Sequence, residues 1–84
     1  MAQYEWTKHA RQVQARRAIP LECIERVLYS PMAREPDRVD GSLEHRLGRI
    51  PEHGNRVLRV VVNVRANPPK IITVYWDRGM RTKL

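Results

Sequence analysis

The chain has 84 residues, 42% of them apolar and 6% aromatic, so it has room for one small hydrophobic core, and we expect a single domain over residues 1–84. Sixteen Lys and Arg residues against nine Asp and Glu give a formal net charge of +7, and 13 of the 16 are arginine. Because guanidinium groups are forked donors that suit phosphate and carboxylate oxygens, this composition favours an anionic partner, either a nucleic acid or an acidic protein.

Several classes of protein are excluded by the same composition. Cys23 is the only cysteine, which rules out an intramolecular disulfide and any Cys-x-x-Cys metal or redox motif. No apolar run approaches the roughly 18 to 20 residues of a membrane span. The first ten residues, MAQYEWTKHA, lack the hydrophobic core of a signal peptide. We therefore expect a cytoplasmic protein, complete as written.

Two short helices are predicted in the first third of the chain. Thr7 is a suitable N-cap for the first, which extends to about Arg17, and Pro20 suits the first turn of the second. The second helix should end at Ser30, because a residue that precedes proline is disfavoured in the helical region. The predicted inward stripes are Trp6, Ala10, Val13 and Arg17 on the first helix, and Leu21, Ile24, Val27 and Leu28 on the second.

Strands are predicted in the remaining two thirds of the chain. Residues 32–42 are polar and favour a loop that includes a short edge strand. The strands and turns then follow in the order strand 43–50, turn 51–55, strand 56–66, a turn at ANPPK, and strand 70–77. The basic tail that follows is expected to be mobile. The order predicts an α+β fold, with two N-terminal helices packed on a three- to four-stranded antiparallel sheet.

The sequence gives little support for a metal site, a phosphate-binding loop or a cysteine nucleophile. The three histidines and Cys23 lack metal-ligand spacing, the glycines form no phosphate loop, and Cys23 falls among the apolar positions of the second helix. Strand alternation instead places Arg59, Arg65, Thr73 and Tyr75 together on the face of the sheet opposite the helices. Such a face has the donors and the ring that bind RNA, and it is also typical of an ordinary solvated sheet.

The segments TKHARQVQARRAIPLECIERVL, RVLRVVVN and IITVY are similar to a small bacterial family, domain of unknown function 4258. His9 and Arg17 have the spacing of that family's histidine and arginine, Ala18 stands where the family usually has glycine, and residues 32–55 match poorly. The family resembles the RelE- and BrnT-like toxins, which implies a RelE/barnase-like fold and a metal-independent endoribonuclease that is often held in check by an antitoxin.

These observations give a leading hypothesis of a toxin-like RNA-binding protein that cleaves RNA without a metal or cofactor. His9 would act as general acid or base, Arg17 and Arg59 would stabilise charge on the phosphate, and Tyr75 would stack a base or share a proton. Further RNA contacts are assigned to Arg46, Arg49, Arg65 and Thr73.

Two alternatives stay open at this point. In the first, the basic sheet is a non-catalytic module that binds RNA or an acidic, antitoxin-like protein. In the second, His9 and Arg17 are structural residues, with His9 capping the sheet and Arg17 bonding the carbonyls at a helix end. The sequence leaves the oligomeric state open.

Overall fold

A computed structural model of the chain describes residues 3–84; Met1 and Ala2, which begin the segment that lacks a signal-peptide core, lie outside the described residues. In chain order the elements are β1 (Glu5–Trp6), α1 (Lys8–Arg16), α2 (Leu21–Tyr29), β2 (Ala33–Pro36), β3 (Leu43–Ile50), β4 (Arg56–Asn63) and β5 (Lys70–Trp76). Short 3-10 turns follow β3 (Pro51–His53) and β5 (Arg78–Met80). The α+β class is therefore as predicted, and neither helix of the described chain has the length and apolar run that crossing a bilayer requires.

The sheet is larger than predicted. Its five strands lie in the order β1-β5-β4-β3-β2, and β1 runs parallel to β5, so the sheet is mixed rather than three- to four-stranded and antiparallel. The backbone N–H of Glu5 donates to Pro69 O at 2.8 Å, and that of Thr7 donates to Ile71 O at 3.2 Å. β1 was not predicted, because a strand of two residues is too short to show an alternating pattern.

One face of the sheet carries the helices and the main core. The buried side chains of this face come from alternate positions of β4 and from α1 and α2, and they include Ala10, Val13, Ile24, Val27, Leu58, Val60 and Val62. Cys23 is buried among them, as predicted. Two members of the predicted inward stripes do not lie inward, because Arg17 is exposed and Leu21 keeps 54% of its surface exposed.

The link between the helices is a Schellman turn built on an alanine. Ile19 N donates to Gln14 O and Ala18 N to Ala15 O, both at 3.1 Å, which satisfies the last carbonyls of α1. This motif requires a left-handed backbone at the first residue after the helix cap, which is Ala18, and Ala18 has a φ of 51°. The turn thus closes tightly although the residue is not glycine.

The opposite face, here called the open face, carries neither α1 nor α2. Its small apolar cluster of Leu47, Val57 and Val61 is nevertheless buried. The C-terminal segment, which was predicted to be mobile, lies against the fold, where Arg49 Nη2 donates to the carbonyls of Arg81 and Leu84, each at 2.7 Å. These bonds hold the C-terminal segment beside the apolar cluster.

Candidate functional site

Two cross-strand rows of side chains define the open face. Thr73 pairs with Val61, Val61 with His45, and His45 with Glu35 in the first row. Tyr75 pairs with Arg59 in the second. Partners in such rows have Cβ atoms about 4.5–5.5 Å apart, so the polar side chains of these rows share one face around the apolar Val61. The set is here called the open-face strip and comprises Thr73, Tyr75, Arg59, His45 and Glu35.

Arg59 is the centre of a hydrogen-bonded network in this strip. Its Nε donates to Asp77 Oδ2 at 2.8 Å, and its Nη1 lies 2.9 Å from His45 Nδ1 and 3.4 Å from Glu35 Oε1. Its Nη2 has no partner among residues 3–84. A guanidinium group only donates hydrogen bonds, so Nδ1 of His45 must accept and the imidazole proton must be on Nε2. That Nε2–H donates to Asp37 Oδ1 at 2.7 Å.

Asp37 is held in its charged form by several donors. The backbone N–H of Asp40, the imidazole of His45 and the backbone N–H of Val39 lower the pKa of Asp37 to about 2. The carboxylate therefore stays ionised at neutral pH and fixes the tautomer and orientation of His45. His45 in turn orients Arg59.

His9 joins the strip at the edge of the sheet. It lies in the first turn of α1, is exposed, and its Nε2 is 3.3 Å from Thr73 Oγ1. Thr7 anchors this end of α1, because its hydroxyl accepts from Ala10 N at 3.1 Å and donates to Ile71 O at 2.9 Å. Three of the four predicted catalytic residues, His9, Tyr75 and Arg59, thus belong to the open-face strip, together with Thr73.

Arg17 lies elsewhere. It follows α1 at the end opposite His9, about 12 Å away along the helix axis at 1.5 Å per residue. Its side chain lines a shallow pocket with Arg56, Trp76 and Arg78, here called the Trp76 pocket. The structure therefore does not bring Arg17 beside His9, because a helix separates residues eight apart by more than two turns.

Arg46, one of the residues predicted to contact RNA, is buried on the helix side of the sheet. Its register partner Val60 faces the helices, and only 8% of Arg46 is exposed. Its Nη1 donates to Tyr4 Oη at 2.6 Å and to Leu28 O at 2.9 Å, and its Nε lies 3.4 Å from Glu44 Oε1, close enough for an ion pair although the geometry is not that of a hydrogen bond. Arg46 thus links β3, α2 and the N-terminal segment, and its guanidinium is largely shielded from solvent.

The other two arginines of that set lie at the periphery of the strip. Arg49 is on the open face, with its guanidinium bonded to Asn55 O at 2.8 Å and to the two carbonyls of the C-terminal segment. Arg65 is exposed in the turn after β4. The pKa of the nearby Asp40 is lowered mainly by hydrogen bonds from Ser42, and the charge of Arg65 adds a smaller effect. Neither contacts Arg59 or Tyr75.

The carboxylates and the histidine around Arg59 were not among the predicted site residues. The strand pattern did contain a signal for two of them. Asp77 continues the alternation of Thr73 and Tyr75 on the open face, and His45 shares one face of β3 with Leu43 and Leu47. Asp37 carried no such signal because it follows the edge strand in an irregular loop. Within residues 3–84 there is no group of three or more His, Cys, Asp or Glu side chains that could hold a metal ion.

Cys23 is far from a reactive environment. It is 1% exposed, and burial is the main cause that raises the pKa of its thiol. A neutral, buried thiol is a poor nucleophile, so Cys23 is a core residue.

Comparison with known proteins adds one finding. The family model described as Domain of unknown function (DUF4258) matches residues 6–76, which include both helices and every strand but part of β1. Neither curated proteins nor solved structures give a match. Because the family model spans most of the chain, the protein belongs to the DUF4258 family.

Proposed function

We propose that the protein is a metal-independent endoribonuclease whose substrate lies along the open-face strip. The observation that carries this proposal is the alignment of an exposed imidazole, a phenol and a guanidinium group on one face: His9 beside Thr73, and Tyr75 paired with Arg59. These are groups that transfer protons and stabilise phosphate charge without a metal.

The proposed reaction is transesterification of the RNA backbone. The 2′-oxygen attacks the adjacent phosphorus, a base removes the 2′-hydroxyl proton, and an acid protonates the departing 5′-oxygen. The products are a 2′,3′-cyclic phosphate and a free 5′-hydroxyl. His9 supplies one of the two proton transfers, because histidine is the side chain that titrates near neutrality, and the Tyr75 hydroxyl supplies its partner.

Arg59 is proposed to stabilise the charge that develops on the phosphate oxygens. Its Nη2 is free to donate to such an oxygen, while Asp77 and His45 hold Nε and Nη1 in place. Glu35 is the weaker partner at 3.4 Å and has 51% of its side chain exposed, so it can move away from an incoming phosphate. Asp37, His45 and Asp77 are positioning residues in this scheme.

The test is cleavage of single-stranded RNA in the presence of a chelator, with detection of the cyclic phosphate. We expect His9→Gln, Tyr75→Phe and Arg59→Gln each to lower the rate by roughly 10²- to 10³-fold. Lys8→Gln, a neighbouring exposed position on α1, is the matched control and should retain full activity. Absence of cleavage by the wild type, or cleavage that survives His9→Gln, would refute the proposal.

A non-catalytic binding module is the second candidate, and the ion pairs of Arg59 favour it. Asp77 and Glu35 place two carboxylates on the one guanidinium that the catalytic scheme needs. An RNA-binding or acidic-protein-binding module would tolerate this arrangement, because the exposed arginines elsewhere would supply the binding. Salt-sensitive RNA binding without cleavage would identify this alternative.

The same proposal includes a relationship between this protein and the RelE- and BrnT-like toxins. Its support is the order of two N-terminal helices followed by a largely antiparallel sheet, which is what the resemblance implies. Induced expression should inhibit bacterial growth, and His9→Gln should relieve the inhibition. Equal inhibition by both proteins would count against a toxin that acts through this site.

A further inference from the structure

The strongest unassigned feature is the Trp76 pocket, lined by Arg17, Arg56, Trp76 and Arg78. Its volume is about 280 Å³. Three different parts of the chain contribute an arginine: the end of α1, the first residue of β4 and the turn after β5. All three arginines are exposed, whereas Trp76 is half-buried and packs against the helix-side core.

The three arginines have no anionic partner among the described residues. Other arginines of the fold do, for example Arg26 with Glu52 at 2.6 Å and Arg59 with Asp77 at 2.8 Å. Asp77 is the next residue after Trp76, but both of its oxygens are used: Oδ2 accepts from Arg59, and Oδ1 accepts from Gly79 N at 3.0 Å. The pocket therefore gathers three positive charges with no carboxylate to neutralise them.

Arg56 is held in a defined position. Its guanidinium carbon lies 4.3 Å from the centre of the Trp76 ring, a stacking distance that favours a cation–π interaction. A planar guanidinium fixed on a ring loses little further conformational entropy when it donates to an anion. His53, with its ring centre 5.7 Å from that of Trp76, packs beside the same indole.

We propose that the Trp76 pocket binds a backbone phosphate of single-stranded RNA, with Arg56 as the fixed donor and Arg17 and Arg78 as flanking donors. Forked guanidinium donors match the tetrahedral oxygens of phosphate, and the absence of a competing carboxylate removes the cost of breaking an ion pair. The site is separate from the open-face strip, and its binding does not depend on cleavage there.

The first experiment is fluorescence anisotropy with a short labelled single-stranded RNA over a range of salt concentrations. The test variant carries Arg17→Gln, Arg56→Gln and Arg78→Gln. The control variant carries Arg11→Gln, Arg34→Gln and Lys83→Gln, which removes the same charge from exposed positions outside the pocket. Thermal unfolding of both variants checks that they are folded.

We expect the pocket variant to bind at least about 10-fold more weakly than the control variant at low salt. The slope of log K against log salt should also fall by about 0.7 for each phosphate that the variant no longer neutralises. Equal weakening in the two variants would show that only net charge matters and would overturn the proposal. So would a wild type that does not bind RNA.

A second experiment locates the anion by nuclear magnetic resonance with inorganic pyrophosphate as the probe. The chain has two tryptophans, so the indole N–H of Trp6 is an internal control for that of Trp76. We expect the Trp76 signal to shift and the Trp6 signal to stay. Equal shifts would overturn the site, and stronger shifts with oligo-glutamate than with pyrophosphate would assign the pocket to an acidic protein instead.

The two proposals fail in different ways. The pocket variant should need more RNA for half-maximal cleavage but reach the wild-type rate at saturation, whereas His9→Gln should bind RNA normally and cleave slowly. Loss of cleavage with retained pocket binding would remove only the proposed reaction. Unchanged RNA affinity in the pocket variant would remove only the Trp76 site.

Discussion

Replacing Ala18 by glycine should stabilise the protein. Ala18 occupies the left-handed position of the Schellman turn with a φ of 51°, a conformation that costs a non-glycine residue about 1–2 kcal/mol. Its methyl group is exposed, so its removal loses almost no buried apolar surface. Glycine is more flexible in the unfolded chain, which offsets about 0.4–1 kcal/mol of the gain. The expected net stabilisation is about 0.5–1 kcal/mol.

Thermal and urea unfolding measure this change directly. For a domain of this size, 1 kcal/mol corresponds to about 4–8 °C, so the melting temperature of Ala18→Gly should rise by about 2–8 °C. The urea midpoint should rise with an unchanged slope, since the surface exposed on unfolding is the same.

A second variant with the opposite change serves as the control. Gly54 has a φ of 69°, and a Cβ added there would meet no atom within 4 Å, so Gly54→Ala introduces the backbone cost without a steric clash. It should destabilise the protein by about 1 kcal/mol. If Ala18→Gly lowers the melting temperature while Gly54→Ala behaves as expected, the methyl group of Ala18 does more than the turn geometry accounts for, and the reasoning is wrong.

Two further predictions concern the buried arginine and the acidic loop. Arg46→Met should destabilise the fold by about 1–3 kcal/mol in urea unfolding, because Leu28 O and Glu44 lose their buried partner, whereas the exposed Arg34→Met should cost less than about 1 kcal/mol. The second prediction follows from the pKa of Asp37, which is about 2 in the folded protein and lower than its ordinary value of 3.8. The ionised Asp37 therefore stabilises the fold above about pH 4, and this stabilisation is lost as the pH falls towards about 2. Asp37→Asn should therefore flatten the decline of melting temperature between pH 4 and pH 2, and an unchanged pH profile would refute this assignment.

Much of the secondary structure follows from local chemistry. Thr7 caps α1 as expected, Ser30 ends α2 before its proline, and the valine-rich segment of β4 turns Leu58, Val60 and Val62 inward as its alternation requires. These features were predictable because capping, proline sterics and period-two burial depend on neighbouring residues alone.

The predictions that differ from the structure concern the face of the sheet, or the position along a helix, at which a charged side chain lies. Arg46 and Arg49 are both basic residues of a predicted strand, but they are three positions apart in β3 and therefore lie on opposite faces of the sheet. Arg17 continues the spacing of an inward stripe, but it is the C-cap residue that follows α1, and its side chain is exposed.

By itself, the amino-acid sequence determined the α+β class, the two helices, the hairpin of β4 and β5, the buried state of Cys23 and the basic, arginine-rich character that points to an anionic partner. Only the tertiary structure decided which charges meet. The fold brings together two groups of residues from distant parts of the chain. The first is the network of Arg59, His45, Asp37 and Asp77, and the second is the set of Arg17, Arg56 and Arg78 around the Trp76 pocket. Strand register and helix end points set those contacts, and no local pattern specifies them, because each depends on how whole elements pack against one another.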